Sequence, residues 1–238
     1  MVVAIHQPEH LPWLGFFNKM ANADVLVILD IVQYRKRYFQ NRNQILVNGE
    51  KKYIGVPIIL DNYREKTIKE MQIYSDRDVP WKSKYLKTIE YNYKRHPFFD
   101  EYFPFFEELV KKDICSLYEF NMEIINYFAD KLDLTTEIIM ASDLSPVGKK
   151  SDLILDIAKK SGASVYLSGP SGRDYMELDK YKNENVDVWF NDFKHPVYDQ
   201  KGTDVFIPYL STLDLFMNVG AKQAKSVIAE GTVIAKNL

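Results

Sequence analysis

At 238 residues with 46% apolar side chains, the chain has the material for one continuous core and suits one domain of α/β type. A formal net charge of −2 argues against a surface devoted to nucleic acid, and a single cysteine, Cys115, excludes an intramolecular disulfide framework and a thiolate zinc site. Aromatic residues reach 14%, enough to furnish a ring-lined groove as well as a core.

VVAIH at 2–6 and DVLVILD at 24–30 are short β-branched runs, and LGFFNKMANA between them can form a short helix. A strand, helix, strand unit of this length predicts a right-handed βαβ crossover with parallel strands buried on both faces. ILVNGEKKYIGVPI carries two alternating runs about Asn48-Gly49, which predicts a β-hairpin near residues 44–58. Residues 61–80 are mixed and polar, with TIKEMQIY as one further candidate strand. A helical insertion follows near residues 81–134, where Leu117, Phe120, Ile124, Ile125, Phe128 and Leu132 form one amphipathic stripe. Pro97 and Pro104 break the stretch before it, so two or three helices are expected.

Ser151 and Asp152 are set to cap a helix over LILDIAKK, which Gly162 ends. VYLSG at 165–169 is the next strand, then the loop GPSGRDY, a short helix near 177–184 and the strand VDVWF at 186–190. No internal repeat, low-complexity linker or membrane-length apolar run interrupts this order. The chain therefore reads as one cytoplasmic α/β domain: a parallel Rossmann-like sheet with a β-hairpin and a helical insertion.

Ligands of parallel α/β sheets bind beyond the carboxyl ends of the strands. His6, Asp30 and Ser168-Gly169 each end a predicted strand, so all stand at that edge. In HQPEHLPW, Pro8 and Pro12 stiffen the loop and Trp13 anchors it, leaving His6 and Gln7 on a rigid rim. A structural hydrogen bond for His6 and a capping role for Asp30 are the plainer readings. His10 sits within the loop, open to solvent as much as to a ligand.

Between Tyr34 and Tyr53 stand six basic residues and one acid. Lys36, Arg42 and Lys51 suit phosphate, while Tyr34, Tyr38 and Phe39 can stack on a base or sugar. Gln40, Asn41 and Asn43 suit hydroxyls or a base edge; a solvated loop ahead of the hairpin is the alternative. In SGPSGRDY, Gly169 and Gly172 flank Pro170-Ser171 and permit close backbone approach to an anion, or simply a tight turn. The loop matches no dinucleotide or triphosphate glycine pattern. Cys115 is expected to be a buried thiol, and His96 and His195, each before a proline, to be structural or rim residues. The four histidines lack metal-ligand spacing, so no metal site is expected.

Four phrases in order, HQPEHLPWLGFF, ADVLVILDIVQYRKRYFQNRN, YLSGPSGRDY and YDQKGTDVFIPYLSTLDLFMNVG, resemble the WbqC-like protein family over nearly the whole chain. Members are typically encoded in bacterial O-antigen and other surface-polysaccharide clusters. The resemblance thus implies a cytoplasmic enzyme acting on a nucleotide-linked sugar. His6, Gln7, Trp13, Asp30, Gln33, Gln40, Asn41, Arg42, Asn43, Gly169, Gly172, Tyr175 and Gln200 lie in its phrases. The Glu9-His10 pair departs from the family, where an aromatic is common at the second position, and so does Pro170 in the glycine loop.

Epimerases and aminotransferases of such pathways use nicotinamide or pyridoxal phosphate, and the chain has neither a glycine fingerprint nor a convincing Schiff-base lysine setting. The expected reaction is N-acyl or aminoacyl transfer to an amino sugar, with no tightly bound cofactor. Acyl-CoA, an acyl carrier protein or an aminoacyl-tRNA would be the donor. His6 is then the base and Asp30 its orienting partner. The 169–172 amides, with Gln7 or Asn41, would hold the oxyanion, and Arg42 with Lys36 or Lys51 the diphosphate. Trp13, Gln33, Gln40, Asn43, Ser171, Tyr175 and Gln200 complete the expected substrate site. One alternative is a HIGH-type nucleotidyl transferase or adenylate-forming ligase, although His6 and His10 depart from the HxGH spacing. Another is a non-catalytic binder of RNA or of a partner protein through the 34–53 patch. A homodimer fits any of these.

Overall fold

β1 (Val2–His6) and β2 (Val25–Ile28) form where the β-branched runs fall, with α1 (Leu14–Ala21) crossing between them, in a computed structural model that describes residues 1–236. β3 (Arg42–Val47) and β4 (Glu50–Gly55) make the hairpin, paired Arg42 to Gly55 through Val47 to Glu50. Asn48 and Gly49 both take positive φ, 51° and 75°, the left-handed pair that a tight two-residue hairpin turn requires. The insertion is three helices: α2 (Lys82–Tyr93), α3 (Phe99–Lys111) and α4 (Leu117–Lys131). Then come β5 (Glu137–Met140), α5 (Ser151–Lys160), β6 (Val165–Ser168), α6 (Leu178–Asn183), β7 (Asp187–Asn191), α7 (Thr212–Glu230) and β8 (Ile234–Lys236).

Six strands form one sheet in the order β5-β2-β1-β6-β7-β8, parallel except for β8. Alternation along the strands divides the core in two. Ala4, Leu26, Ile28 and Leu167 pack with α1, α7 and the inserted helices. Val3, Ile5, Val25, Val27 and Val188 pack on the other face with Ile154, Leu155 and Ile157 of α5 and Tyr181 of α6. From β1 the chain builds outward to β2 and β5, then returns to β6 on the opposite side. The order therefore reverses between β1 and β6, and their carboxyl ends diverge there.

Four expectations are corrected. TIKEMQIY forms no strand, only isolated bridges such as Gln33 to Thr67 and Gln72 to Ser116, because no continuous neighbour accepts a ladder, although Ile68 and Met71 are fully buried. Pro104 lies inside α3 rather than breaking it; it is on the exposed face, where the carbonyl it leaves unbonded can face water. Cys115 is exposed, because it stands just before the N-cap Ser116, whose Oγ accepts from the Glu119 N–H at 3.2 Å. Ser151 begins α5 instead of capping it, and its Oγ accepts from the N–H of Glu177 at 3.2 Å.

α7 is fastened by Asp214 in its first turn, a carboxylate with no exposed surface. Its Oδ1 accepts from Tyr93 Oη at 2.9 Å, and its Oδ2 from Tyr198 Oη at 2.7 Å and Gln200 Nε2 at 2.8 Å. Tyr93 Oη in turn accepts from the Leu46 N–H at 3.0 Å, tying in the hairpin. Burial raises this carboxyl's pKa, and its three donors work against that rise. Asp214→Ala strands three buried donors at once, and urea unfolding should show a loss of about 3 kcal/mol or more.

Candidate active site

Where the strand order reverses, the loops after β1 and β6 enclose a cleft of about 500 Å3. One wall is the loop after β1, with His6, Gln7, Glu9 and Trp13, backed by Lys19 of α1. The facing wall is Ser168 to Gly172 with Tyr175. Asn191, Phe193 and Tyr209, with Tyr38, Phe39 and Asn43 of the basic segment, complete the lining. Trp13 stands edge-on to Phe193 at 5.5 Å and lies over Gly15, where a Cβ would come within 2.4 Å of the indole. Only glycine leaves room for this ring.

The floor is built of groups that burial has shifted. His6 Nδ1–H donates to the Gln7 carbonyl at 3.0 Å, which leaves Nε2 as an acceptor. Burial, and secondarily the charge of Lys19, lowers its pKa to about 3. The neutral ring, with its Nδ1–H committed, presents Nε2 as an acceptor. Lys19 is 5% exposed and donates from Nζ to the Ile5 carbonyl at 2.7 Å. Burial lowers it to about 7, against the pull of Glu9. Glu9 is 6% exposed, and its Oε2 has no hydrogen-bond partner. Burial raises it to about 8, against the pull of Lys19. Perturbed groups clustered in a cleft make it the candidate functional site.

Glu9 and Lys19 were not among the residues the sequence singled out. The available signal for Lys19 was a charge in the middle of LGFFNKMA, a helix buried on nearly every side. For Glu9 there was none, since a loop glutamate is ordinarily solvated.

Of the residues the sequence proposed, His6, Gln7, Trp13, Asn43, Gly169, Ser171, Gly172 and Tyr175 line the cleft. Lys51 reaches its mouth, with Nζ 5.5 Å from the ring centre of Tyr209. Arg35 does the same at Tyr38, with Cζ at 4.8 Å. Both tyrosines are about half exposed.

The others lie elsewhere. Asp30 does not meet His6; its Oδ1 accepts from the Ser142 N–H at 3.0 Å and its Oδ2 stands 3.4 Å from Lys69 Nζ, so it caps the short 3-10 turn after β5. Gln33 donates to the Arg64 carbonyl, and Lys36 lies 5.9 Å from the ring centre of Tyr63. Gln40 is fully buried, accepting from the Arg35 N–H at 2.8 Å and donating to Gln7 Oε1 at 2.7 Å. Asn41 bridges Tyr34 Oη and the Val56 carbonyl, both at 2.9 Å. Arg42 stacks 4.1 Å over Tyr53 and donates to the Arg37 carbonyl at 2.8 Å. Gln200 belongs to the Asp214 network. The Gly172 N–H is taken by the Gly169 carbonyl at 3.0 Å, so it is not free for an oxyanion.

His10 is a core residue, with Nδ1 3.2 Å from Asn121 Oδ1 and Nε2 3.2 Å from Tyr85 Oη. His96 and His195 bond the carbonyls of Lys201 and Pro196, at 3.2 and 2.9 Å. Among the described residues no cluster of three His, Cys, Asp or Glu could hold a metal ion, and no helix is long and apolar enough to cross a membrane.

Comparison with known proteins adds a family. A family model described as the WbqC-like protein family matches residues 7–226. The chain is similar to the uncharacterized protein Rv1507c of Mycobacterium tuberculosis, at 28% identity over 222 residues, covering 92% of this chain and 94% of that protein. No solved structure matches.

The Glu9 carboxyl carries a pH signature. Its folded pKa of about 8 lies above the ordinary 4.5, so the folded state holds this proton more tightly than the unfolded chain. The stability it lends is full below the unfolded value and is lost as pH rises toward 8. Glu9→Gln, which cannot ionise, should be near neutral in urea unfolding close to pH 4.5 and stabilising by on the order of 2 kcal/mol close to pH 8.

Proposed function

The chain belongs to the WbqC-like protein family, and from that membership and the chemistry of its cleft we propose that it is an enzyme that acylates a nucleotide-linked amino sugar. Such an enzyme would serve bacterial surface-polysaccharide synthesis of the O-antigen kind, in the cytoplasm. The observation that carries this reading is the way the cleft is graded. Its mouth offers two cation-topped tyrosines, Arg35 over Tyr38 and Lys51 over Tyr209, and its floor offers buried acceptors and titratable groups. Rings and cations at an entrance suit a base and a diphosphate, while a polar floor of this size suits one sugar ring.

The group transfer needs no metal or tightly bound cofactor. The amine nitrogen attacks the carbonyl carbon of a thioester or ester, as in acyl-CoA, an acyl carrier protein or an aminoacyl-tRNA. The C–N bond forms, and the C–S or C–O bond breaks with its electron pair on the donor. The amine's protons pass to a base on the floor and to the leaving group. Diphosphate binding shifts in this reading from Arg42 and Lys36, which stand over Tyr53 and Tyr63, to Lys51 and Arg35, which stand over the cleft tyrosines Tyr209 and Tyr38. His6 serves as a hydrogen-bond acceptor for a sugar hydroxyl or the amine. The nucleotidyl-transfer alternative needs paired histidines at the site, and His10 is instead buried against Asn121 and Tyr85.

Thermal unfolding against UDP-, dTDP-, GDP- and CMP-linked amino sugars, with ATP, acyl-CoA and RNA alongside, tests the reading. One amino-sugar nucleotide should raise the midpoint, by the equivalent of about 2.7 kcal/mol at a hundredfold excess over its Kd. Lys51→Ala should shrink the rise several-fold, and Arg42→Ala should leave it nearly intact. A rise with ATP alone or RNA alone overturns it.

A further inference from the structure

The floor of the cleft holds buried acceptors that no donor of the protein meets. Glu9 Oε2 is buried without a partner, and so is Oδ1 of Asn191, which is 3% exposed. His6 adds the lone pair of Nε2, since its Nδ1–H is committed to Gln7. All three residues line the same cleft. The cation among them, Lys19, donates to the Ile5 carbonyl and forms no ion pair with Glu9 among the described residues. Buried polar groups are almost always satisfied, and unmet acceptors in a ligand cleft call for a ligand rich in donors.

We propose that this floor is a primary-amine subsite, in which Glu9 accepts a hydrogen bond from the ligand's amino group and then takes its proton. The inference rests on the amino-sugar reading and deepens it. An ammonium brings three N–H donors to three acceptors, whereas a hydroxyl brings one donor and two more lone pairs. A floor built for donors rejects the analogue that lacks them. In the reaction, one ammonium proton passes to the Glu9 carboxylate and frees the nitrogen's electron pair. That pair forms the C–N bond to the acyl carbon, and a second nitrogen proton leaves with the donor's thiolate or alkoxide. Lys19 is a positioning residue, whose nearby charge favours the ionised carboxylate that burial opposes. The same burial leaves the proton exchangeable near neutrality, as a general base requires.

The test is calorimetric titration of sugar-nucleotide pairs that differ only in bearing an amino or a hydroxyl group at C2, C3 or C4, on the wild type and on Glu9→Gln. The expected result is one amine binding about tenfold or more tighter than its hydroxyl partner at pH 8, with most of that gap closed in Glu9→Gln. Free glucosamine and glucose, compared by ligand-observed NMR at millimolar concentration, form a second arm. Equal binding within every pair overturns the amine subsite and leaves the sugar-nucleotide reading standing. If no nucleotide binds but glucosamine is preferred over glucose, the subsite stands and the nucleotide reading falls. If glucosamine shows no preference either, both fall. The wild-type comparison decides the matter even if the variant fails to fold.

Discussion

The cleft depends on how one loop is held. Between β1 and α1 the backbone runs through Leu11 at φ 45°, a left-handed conformation that costs a non-glycine residue about 1–2 kcal/mol. It persists because donors from distant parts of the chain converge on it. The carbonyl of Leu11 accepts from Asn43 Nδ2 at 2.9 Å, that of Pro12 from the Thr212 N–H at 2.9 Å, and that of Pro8 from Asn121 Nδ2 at 3.4 Å. The His10 N–H donates to the Phe39 carbonyl at 2.9 Å, and Gln7 Oε1 accepts from Gln40. Segment 39–43, α4 and the start of α7 thus clamp the same seven residues. HQPEHLPW and FQNRN, two phrases that look like separate ligand motifs, are largely each other's partners. Their joint effect is to set His6 and Glu9 at fixed places on the floor.

Two buried carboxylates show how the same molecule separates structure from chemistry. Asp214 accepts from two tyrosine hydroxyls and a glutamine amide, so its charge is dispersed into a network that ties α7 to the hairpin. Glu9 is buried nearly as deeply, yet one oxygen has no donor and the nearest cation acts on it only through the field. Both carboxyls are raised by desolvation. Only Glu9 lines a space that a ligand can enter, and a carboxylate that still lacks a donor can be satisfied by that ligand.

The basic segment carries a related lesson in electrostatics. Six cations in twenty residues suggest a broad positive surface, but Arg42 lies on Tyr53, Lys36 on Tyr63, and Lys52 pairs with Glu50 at 2.6 Å. The rings absorb the guanidinium and ammonium faces, and what reaches the cleft is concentrated at Tyr38 and Tyr209. A uniform patch would attract any polyanion. Two cations on rings that line the cleft favour a short anion attached to something flat.

What the sequence by itself determined is local in origin. β-branched runs, an Asn-Gly turn and a helical stripe specify their elements through neighbours a few residues away, and the ends of β1 and β6 correctly located the cleft. The same reasoning could not see α7, β5 or β8, whose helical or extended state is decided largely by what they pack against. Nor could it rank polar residues. Gln40, Asn41 and Gln200 carry ligand-like chemistry, but folding gives them partners and so uses it up. Glu9 and Lys19 look like ordinary surface residues until α1 is laid beneath the end of β1. Whether a polar group is satisfied or left waiting depends on atoms brought from distant parts of the chain, as when Asn18 donates to the Ile228 carbonyl across 210 positions. That is a property of the packed tertiary structure alone, because hydrogen-bond satisfaction and burial are defined only once the distant parts of the chain have met.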